Sequence, residues 1–104
     1  MNRLQWSQRA ADDLQEIGAY IGGDSRVAAR RWLERLRERA VRASFAPRAG
    51  RVVPELGRDD VREVFLKSYR LLYKVLPDGI AMLTVFEGHR SFPKDVIDSD
   101  GEDE

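Results

Sequence analysis

The first half of the chain has apolar residues at the spacing of α-helices. An apolar stripe runs through residues 8–21 and predicts a helix that begins after an N-cap at Ser7 and stops at the glycine pair that follows. A second helix begins after an N-cap at Asp24 or Ser25 and is closed by Pro47. Because only a few residues separate the two helices, they are expected to form an antiparallel hairpin.

The remaining apolar runs are typical of β-strands. A short alternating run predicts an N-terminal strand at residues 3–6, and three longer runs predict strands at 61–68, 69–76 and 80–87. A small polar turn separates the first two long runs, and the tight turn 77–79 separates the last two. Strands that follow one another through short turns pair antiparallel, so this part of the chain predicts a meander.

The predicted order, β-α-α-β-β-β, belongs to the α+β class, as one domain over residues 1–97. The helix hairpin is expected to pack on one face of a mostly antiparallel sheet and to leave the other face free. Residues 47–60 are expected to form an ordered loop and 89–97 a short edge segment. The acid-rich stretch 98–104 is expected to be disordered.

Composition narrows the class of protein. The chain of 104 residues is long enough for one modest core, and it has no cysteine for a disulfide, a thiolate nucleophile or a cysteine-based zinc site. We expect a cytoplasmic protein with no membrane association, because the first residues lack a secretory signal and no apolar run approaches the ~18 residues of a membrane span. The formal net charge of zero hides an asymmetry, since residues 1–94 carry +6 and 95–104 carry −6.

Cations recur in the most strand-like part of the chain. Alternation in the strand 69–76 predicts that Arg70 and Lys74 share one face, while Tyr69 and Tyr73 share the other and pack in the core or on the helices. Arg62 and Lys67, in the preceding strand, are interpreted as edge or solvent charges. Arg90, which follows the last strand, is the expected neighbour of Arg70. Arg70, Lys74 and Arg90 form the predicted anion-binding surface, which could hold phosphates or an acidic protein.

Other chemistry has little support in the sequence. One histidine without cysteine does not predict a metal site, and no phosphate loop or dinucleotide fingerprint implies a cofactor, so we expect neither. Acid–base cleavage of RNA is one further possibility. Glu63 or His89 would then be the base, Arg70 would hold the phosphate, and Arg90 or His89 would be the acid.

Four segments together resemble the RelE/ParE superfamily of toxins from type II toxin–antitoxin systems. They are "W-S-x-x-A-x-x-D-L-x-x-I-x-x-Y-I" at 6–21, "GRVVPEL" at 50–56, "VREVFLKSYRLLYKV" at 61–75 and "LTVFEGHR" at 83–90. The resemblance spans residues 4–92. RelE-like members are ribosome-dependent mRNA endonucleases, whereas ParE-like members poison DNA gyrase.

Details of the resemblance favour the ParE-like side. Arg70 matches an arginine that RelE-like enzymes use, and Arg90 matches the arginine that closes the last strand. However, no tyrosine follows Tyr73, and His89 precedes Arg90 instead of following it. The resemblance therefore favours a gyrase inhibitor over an enzyme. The alternatives are an mRNA endonuclease that uses Arg70, Arg90, His89 and Glu63, or a non-toxic homologue that only binds its antitoxin.

The resemblance also implies partners. A cognate antitoxin would neutralise the toxin by covering apolar surface and adding to the sheet edge, with Phe65, Phe86 and Phe92 as candidate contacts. DNA gyrase is the implied target, and the ribosome with its mRNA is the alternative target. A dimer, or a heterotetramer with antitoxin, is a possible assembly. The implied biological context is plasmid maintenance or a stress response.

Overall fold

A computed structural model describes residues 2–96 of the chain. The elements in chain order are β1 (Arg3–Trp6), α1 (Gln8–Gly22), α2 (Arg26–Phe45), a 3-10 helix (Pro47–Ala49), β2 (Arg51–Val52), β3 (Val61–Leu66), β4 (Tyr69–Leu76) and β5 (Gly79–Glu87). This order confirms the predicted α+β class, with an N-terminal strand, a helical hairpin and a meander. The predicted domain end at Ile97 and the tail 98–104 lie outside the described residues and stay predictions.

Serine side chains start both helices, as the sequence predicted. The Ser7 hydroxyl accepts a hydrogen bond from the backbone N–H of Ala10, three residues into the turn. Ser25, and not Asp24, caps α2 by accepting from the N–H of Ala28. Each cap satisfies a donor that the first turn of a helix leaves without an intrahelical partner.

The sheet has five strands in the order β1-β5-β4-β3-β2. The strands β3, β4 and β5 form the predicted antiparallel meander, whereas β1 pairs in parallel with β5. The two-residue strand β2 pairs antiparallel with β3 and was not predicted, because it lies within the expected loop 47–60. Leu83 has no partner on β4, since the register steps from Tyr73↔Met82 to Leu72↔Thr84. Such a bulge changes which side chains of β5 face the helices.

The strand ends differ slightly from the sequence prediction. The strand β3 stops at Leu66 because Lys67 takes a positive φ of 53° and turns the chain back into β4. The strand β5 begins at Gly79, inside the predicted turn. Residues 89–96 contain no strand, so the part of the predicted edge segment that the structure describes is wrong.

Apolar cores lie on both faces of the sheet. The larger core lies between the helices and the sheet and includes Leu14, Leu36 and Tyr73. The side chains of the smaller core, on the opposite face, are those of Val53, Val61, Leu72, Leu83, Phe86 and Val96. The prediction that this face is free is therefore wrong, because the loop before β3 and the residues after β5 fold over it. Within residues 2–96, no helix is long and apolar enough to span a bilayer.

Candidate functional site

Arg70 lies in the middle of the sheet and is almost entirely enclosed. It pairs across the sheet with Phe65 on β3 and Phe86 on β5, and only 10% of its side chain is exposed. Its guanidinium carbon lies 5.2 Å from the centre of the Phe86 ring and 5.4 Å from that of Phe92. A cation over two aromatic faces is attracted by both rings, so the aromatic side chains help to hold the guanidinium in place.

Two carboxylates bind every guanidinium nitrogen of Arg70. Nε donates to Oε1 of Glu63 at 2.7 Å, and the two terminal nitrogens donate to the two oxygens of Glu55 at 2.9 and 2.8 Å. The pKa of Arg70 is raised, first by its hydrogen bonds to Glu55, and those same bonds lower the pKa of Glu55 to about 2. Both groups therefore stay charged at neutral pH.

Glu63 joins a second arginine to this group. Its other carboxylate oxygen accepts from Nε of Arg51 at 2.7 Å, and the Glu63 side chain has no exposed surface. We call Arg51, Glu55, Glu63 and Arg70 the arginine–glutamate network. It has two positive and two negative charges, so its formal charge is zero. A buried carboxylate is tolerated here because two guanidinium groups replace its water.

The other cations of the predicted anion surface lie apart from the network. Lys74 is on the same face of β4 as Arg70, as alternation predicted, and is half-buried opposite Val61 and Ala81. Arg90 is exposed and lines a cavity of about 400 Å³ between α1 and the sheet. Arg70 lines a different, shallower groove, and Arg90 is not among the residues of that groove. Their predicted proximity has no support in the contacts of the folded chain.

The cavity at Arg90 is rich in acids and aromatic rings. Its lining residues are Asp13, Glu16, Ile17, Tyr20, Tyr69, Val85, Phe86, Glu87 and Arg90. Asp13 accepts hydrogen bonds from the Thr84 hydroxyl and from the Val85 N–H, and burial raises its pKa. Burial also raises the pKa of Tyr69. Three carboxylates against one guanidinium make this cavity a poor place for a phosphate.

His89 belongs to a separate, shallow groove. The groove, of about 340 Å³, is lined by Arg51, Phe65, Lys67, Ser68, Arg70, Gly88 and His89. The His89 ring is exposed, and its Nδ1 lies 2.7 Å from Oε1 of Glu87. The N–H of His89 also donates to Glu87, and this bond is the main cause of the lowered pKa of that carboxyl. His89 and Glu87 thus form a pair at the protein surface. Glu63, the other candidate base, is fully buried.

The three predicted antitoxin contacts have different environments. Phe65 is exposed on β3, and the Arg51 guanidinium lies 5.1 Å from its ring centre. Phe86 is buried, and Phe92 packs edge-on against it with ring centres 5.9 Å apart. Of the three, Phe65 offers the most apolar surface to a partner without any rearrangement.

Sequence reasoning missed two members of the network and misjudged one arginine outside it. Arg51 and Glu55 lie in the stretch that was expected to be a loop, where no periodicity marks a residue as facing the sheet. Arg62 was interpreted as a solvent charge, but it donates to the backbone oxygens of Arg48 and Gly50 and so holds that loop against β3. Residues 2–96 contain no cluster of histidine and carboxylates able to hold a metal ion.

Comparisons with known proteins identify a family and a shared fold. The model of a family described as "ParE toxin of type II toxin-antitoxin system, parDE" matches residues 4–92. A Sinorhizobium fredii (strain NBRC 101917 / NGR234) protein named "Putative toxin Y4kP" is 34% identical over 95 residues, covering 88% of this chain and 94% of that protein. The solved structure "Chromosomal ParDE TA system from P. aeruginosa" has the same fold, with a TM-score of 0.69 at 21% identity over 84% of this chain and 96% of that one.

Proposed function

The chain belongs to the ParE toxin family of type II toxin–antitoxin systems, and from this premise we propose that it inhibits DNA gyrase and is neutralised by a cognate antitoxin. The observation that supports binding over cleavage is that carboxylates of the same chain already occupy the Arg70 guanidinium. An RNA-cleaving site needs a cation free to meet the scissile phosphate and a base free to take a proton. In this chain the guanidinium of Arg70 is held by Glu55 and Glu63, and Glu63 is enclosed between two arginines.

The same arrangement weakens the case for a ribosome-dependent mRNA endonuclease. That activity would require Arg70 and Arg90 to meet at one phosphate, but they line different surfaces of the protein. His89 is exposed and could exchange protons, yet its nearest partner is Glu87 and not a cation that could hold a substrate. We therefore assign Arg70 to the integrity of the sheet face, and Arg90 to contact with the target. Lys74 stays a candidate second contact.

Supercoiling of relaxed plasmid by gyrase tests the proposal directly. The wild-type chain is expected to inhibit supercoiling, and addition of the antitoxin is expected to restore it. Arg90→Ala removes an exposed cation with no ion pair in the described chain, so it should weaken inhibition about tenfold while the fold stays intact. His89→Ala removes the imidazole that RNA cleavage would use and should inhibit gyrase as well as wild type does.

Cell-free translation distinguishes the alternatives. The endonuclease would be favoured, and the gyrase proposal contradicted, if the wild-type chain cut mRNA at the ribosomal A site without affecting gyrase. In that case His89→Ala and Arg90→Ala should both lose the cutting activity. A chain that binds its antitoxin but affects neither gyrase nor translation would be the non-toxic homologue. Circular dichroism of each variant confirms that a loss of activity is not a loss of fold.

We propose that antitoxin docking uses the exposed edge next to Phe65. This side chain lies near the edge formed by the two-residue strand β2, where an added strand could pair. Phe65→Ser should weaken antitoxin binding without loss of the fold. Phe86→Ser, at a buried position, is expected to destabilise the protein itself, so the two variants separate a contact role from a packing role.

A further inference from the structure

Ion pairing divides the arginines of this protein into two groups. Outside α2, seven of eight arginines pair with a carboxylate, and they are Arg3, Arg9, Arg48, Arg51, Arg58, Arg62 and Arg70. Helix α2 holds the other seven arginines of the chain, and none of them pairs with a carboxylate of residues 2–96. Among residues 2–96, the arginines that do not pair with a carboxylate are therefore concentrated on one helix.

Six of these arginines form two rows on the outer surface of α2, and all six are exposed. The first row is Arg26, Arg30 and Arg37, and the second row is Arg31, Arg35 and Arg42. At 3.6 residues per turn each row stays within about 40° of the helix circumference, and the two rows are about 140° apart. The first and last arginines of each row are 11 positions apart, which is about 16 Å along the helix axis.

The helix surface between the two rows, which we call the strip, indicates which kind of partner can bind there. It contains the exposed apolar residues Val27, Val41 and Phe45, with Glu34 and Glu38 between them. Val27 and Val41 are about 21 Å apart along the axis. A partner helix that covered this strip would have to bury two glutamates, at a high desolvation cost. A second copy of the chain would in addition bring its own arginine rows against these rows.

We propose that the outer face of α2 binds the phosphate backbone of duplex DNA without sequence preference. Guanidinium groups bind phosphate oxygens through paired hydrogen bonds. The arginines of each row follow one another at about 6 Å and about 10 Å along the helix axis, so they can contact separate phosphates of one strand. Glu34 and Glu38 lie between the rows, and their negative charge disfavours insertion of this face into a DNA groove. The helix therefore contacts the phosphate backbone and not the base edges. This proposal does not depend on the target being gyrase, and a chain without effect on gyrase would still bind DNA in this way.

Fluorescence anisotropy with labelled 20-base-pair duplexes tests the proposal on the full chain. Two duplexes of unrelated sequence are expected to bind equally well. The slope of log K against log salt is expected to lie between about −2.7, for one row of three contacts, and about −5.4, for both rows. At the steeper limit the affinity falls on the order of 10³-fold between 50 and 200 mM salt.

Charge reversal in each row identifies the surface. Arg30→Glu with Arg37→Glu, and separately Arg31→Glu with Arg42→Glu, should each weaken binding at least tenfold. Arg3→Glu with Arg48→Glu makes the same change in net charge at two exposed positions outside α2, and it should change the affinity less than threefold. Circular dichroism and thermal melting check that every variant is folded.

Three results would overturn the proposal. The first is absence of DNA binding at 50 mM salt, or a slope near zero. The second is a loss of DNA affinity in the control variant equal to that in the α2 variants, which would indicate that binding depends on net charge and not on a defined surface. The third is binding of poly-L-glutamate through α2 without binding of DNA, which would assign the arginine rows to an acidic protein segment.

Discussion

At the scale of single residues, Glu63 is the side chain on which the sheet face depends. Its carboxylate is excluded from water and receives hydrogen bonds from Arg51 and Arg70 at 2.7 Å each. Removing one member of a buried charge pair leaves the partner charges without solvent or compensation, which costs far more than the intact pair contributes. Glu55 binds the same Arg70, but 39% of its side chain is exposed, so water can replace it.

The two glutamates are therefore expected to respond differently to the same substitution. Glu63→Gln should lower the free energy of unfolding by about 3 kcal/mol, because an uncharged amide replaces the buried carboxylate that Arg51 and Arg70 share. Glu55→Gln should lower it by no more than about 1 kcal/mol, because solvent reaches the Glu55 side of the pair and Arg70 keeps the carboxylate of Glu63. Urea titration at pH 7 measures both values. Equal losses would mean that burial of Glu63 does not govern the energy of the network.

Arg70 shows how much of a site can be predicted from local pattern. Alternation correctly put Arg70 and Lys74 on the face opposite Tyr69 and Tyr73, because facing depends only on the strand period. Local pattern could not predict that the Arg70 guanidinium is bound by carboxylates. Its partner Glu55 is 15 residues away in an irregular segment, and only the folded loop brings the two charges together.

At the scale of elements, the parallel pairing of β1 with β5 depends on Gly79. This residue opposes Arg3 in the register, and a Cβ atom built there would lie only 1.9 Å from the backbone oxygen of Arg3. Backbone on a paired strand cannot move aside as a flexible side chain can. The position therefore requires glycine to let the two strands approach, and the requirement comes from a partner strand 76 residues earlier in the chain.

Gly79→Ala is expected to lower the free energy of unfolding by about 2 kcal/mol or more, because the methyl group forces β1 away from the sheet edge. Gly23→Ala is the matched control at the end of α1. Its backbone is already helical with φ −60°, and the nearest atom to a new Cβ is at 3.4 Å. The control should be neutral or should gain up to about 1 kcal/mol from a less flexible unfolded chain. Thermal melting followed by circular dichroism compares them; a tolerated Gly79→Ala would contradict the close approach.

At the scale of the whole molecule, charge is segregated more strongly than its sum of zero indicates. Residues 1–94 carry +6, and the arginines of α2 hold most of the charge that is not paired within the described chain. The last ten residues carry −6. Oppositely charged segments on one chain compete with external partners for the same surface, and salt weakens that competition. The acidic segment is thus expected to reduce binding of nucleic acid by the basic body.

Truncation after Ile97 tests this effect. Removal of residues 98–104 eliminates five acids and is expected to raise affinity for a 20-base-pair duplex several-fold at 50 mM salt, with a smaller gain at 200 mM salt. A control that replaces the five acids with Asn and Gln keeps the length and should have the same effect. Unchanged affinity across this range of salt would contradict the competition.

The sequence by itself determined both α-helices, the strands β1, β3, β4 and β5, the cap at Ser7, the α+β class and the faces of the central strand. Each of these depends on interactions within a few residues, which periodicity and cap chemistry report directly. The tertiary structure alone decided three further features: the parallel edge strand, the second core under the folded loop and the neutralisation of Arg70. The parallel pairing joins residues 76 positions apart, and the Glu55–Arg70 ion pair joins residues 15 positions apart. Local pattern cannot report contacts between residues this far apart. They explain why the arginine that first suggested an anion site is enclosed, while most of the arginines without a carboxylate partner among residues 2–96 lie on α2.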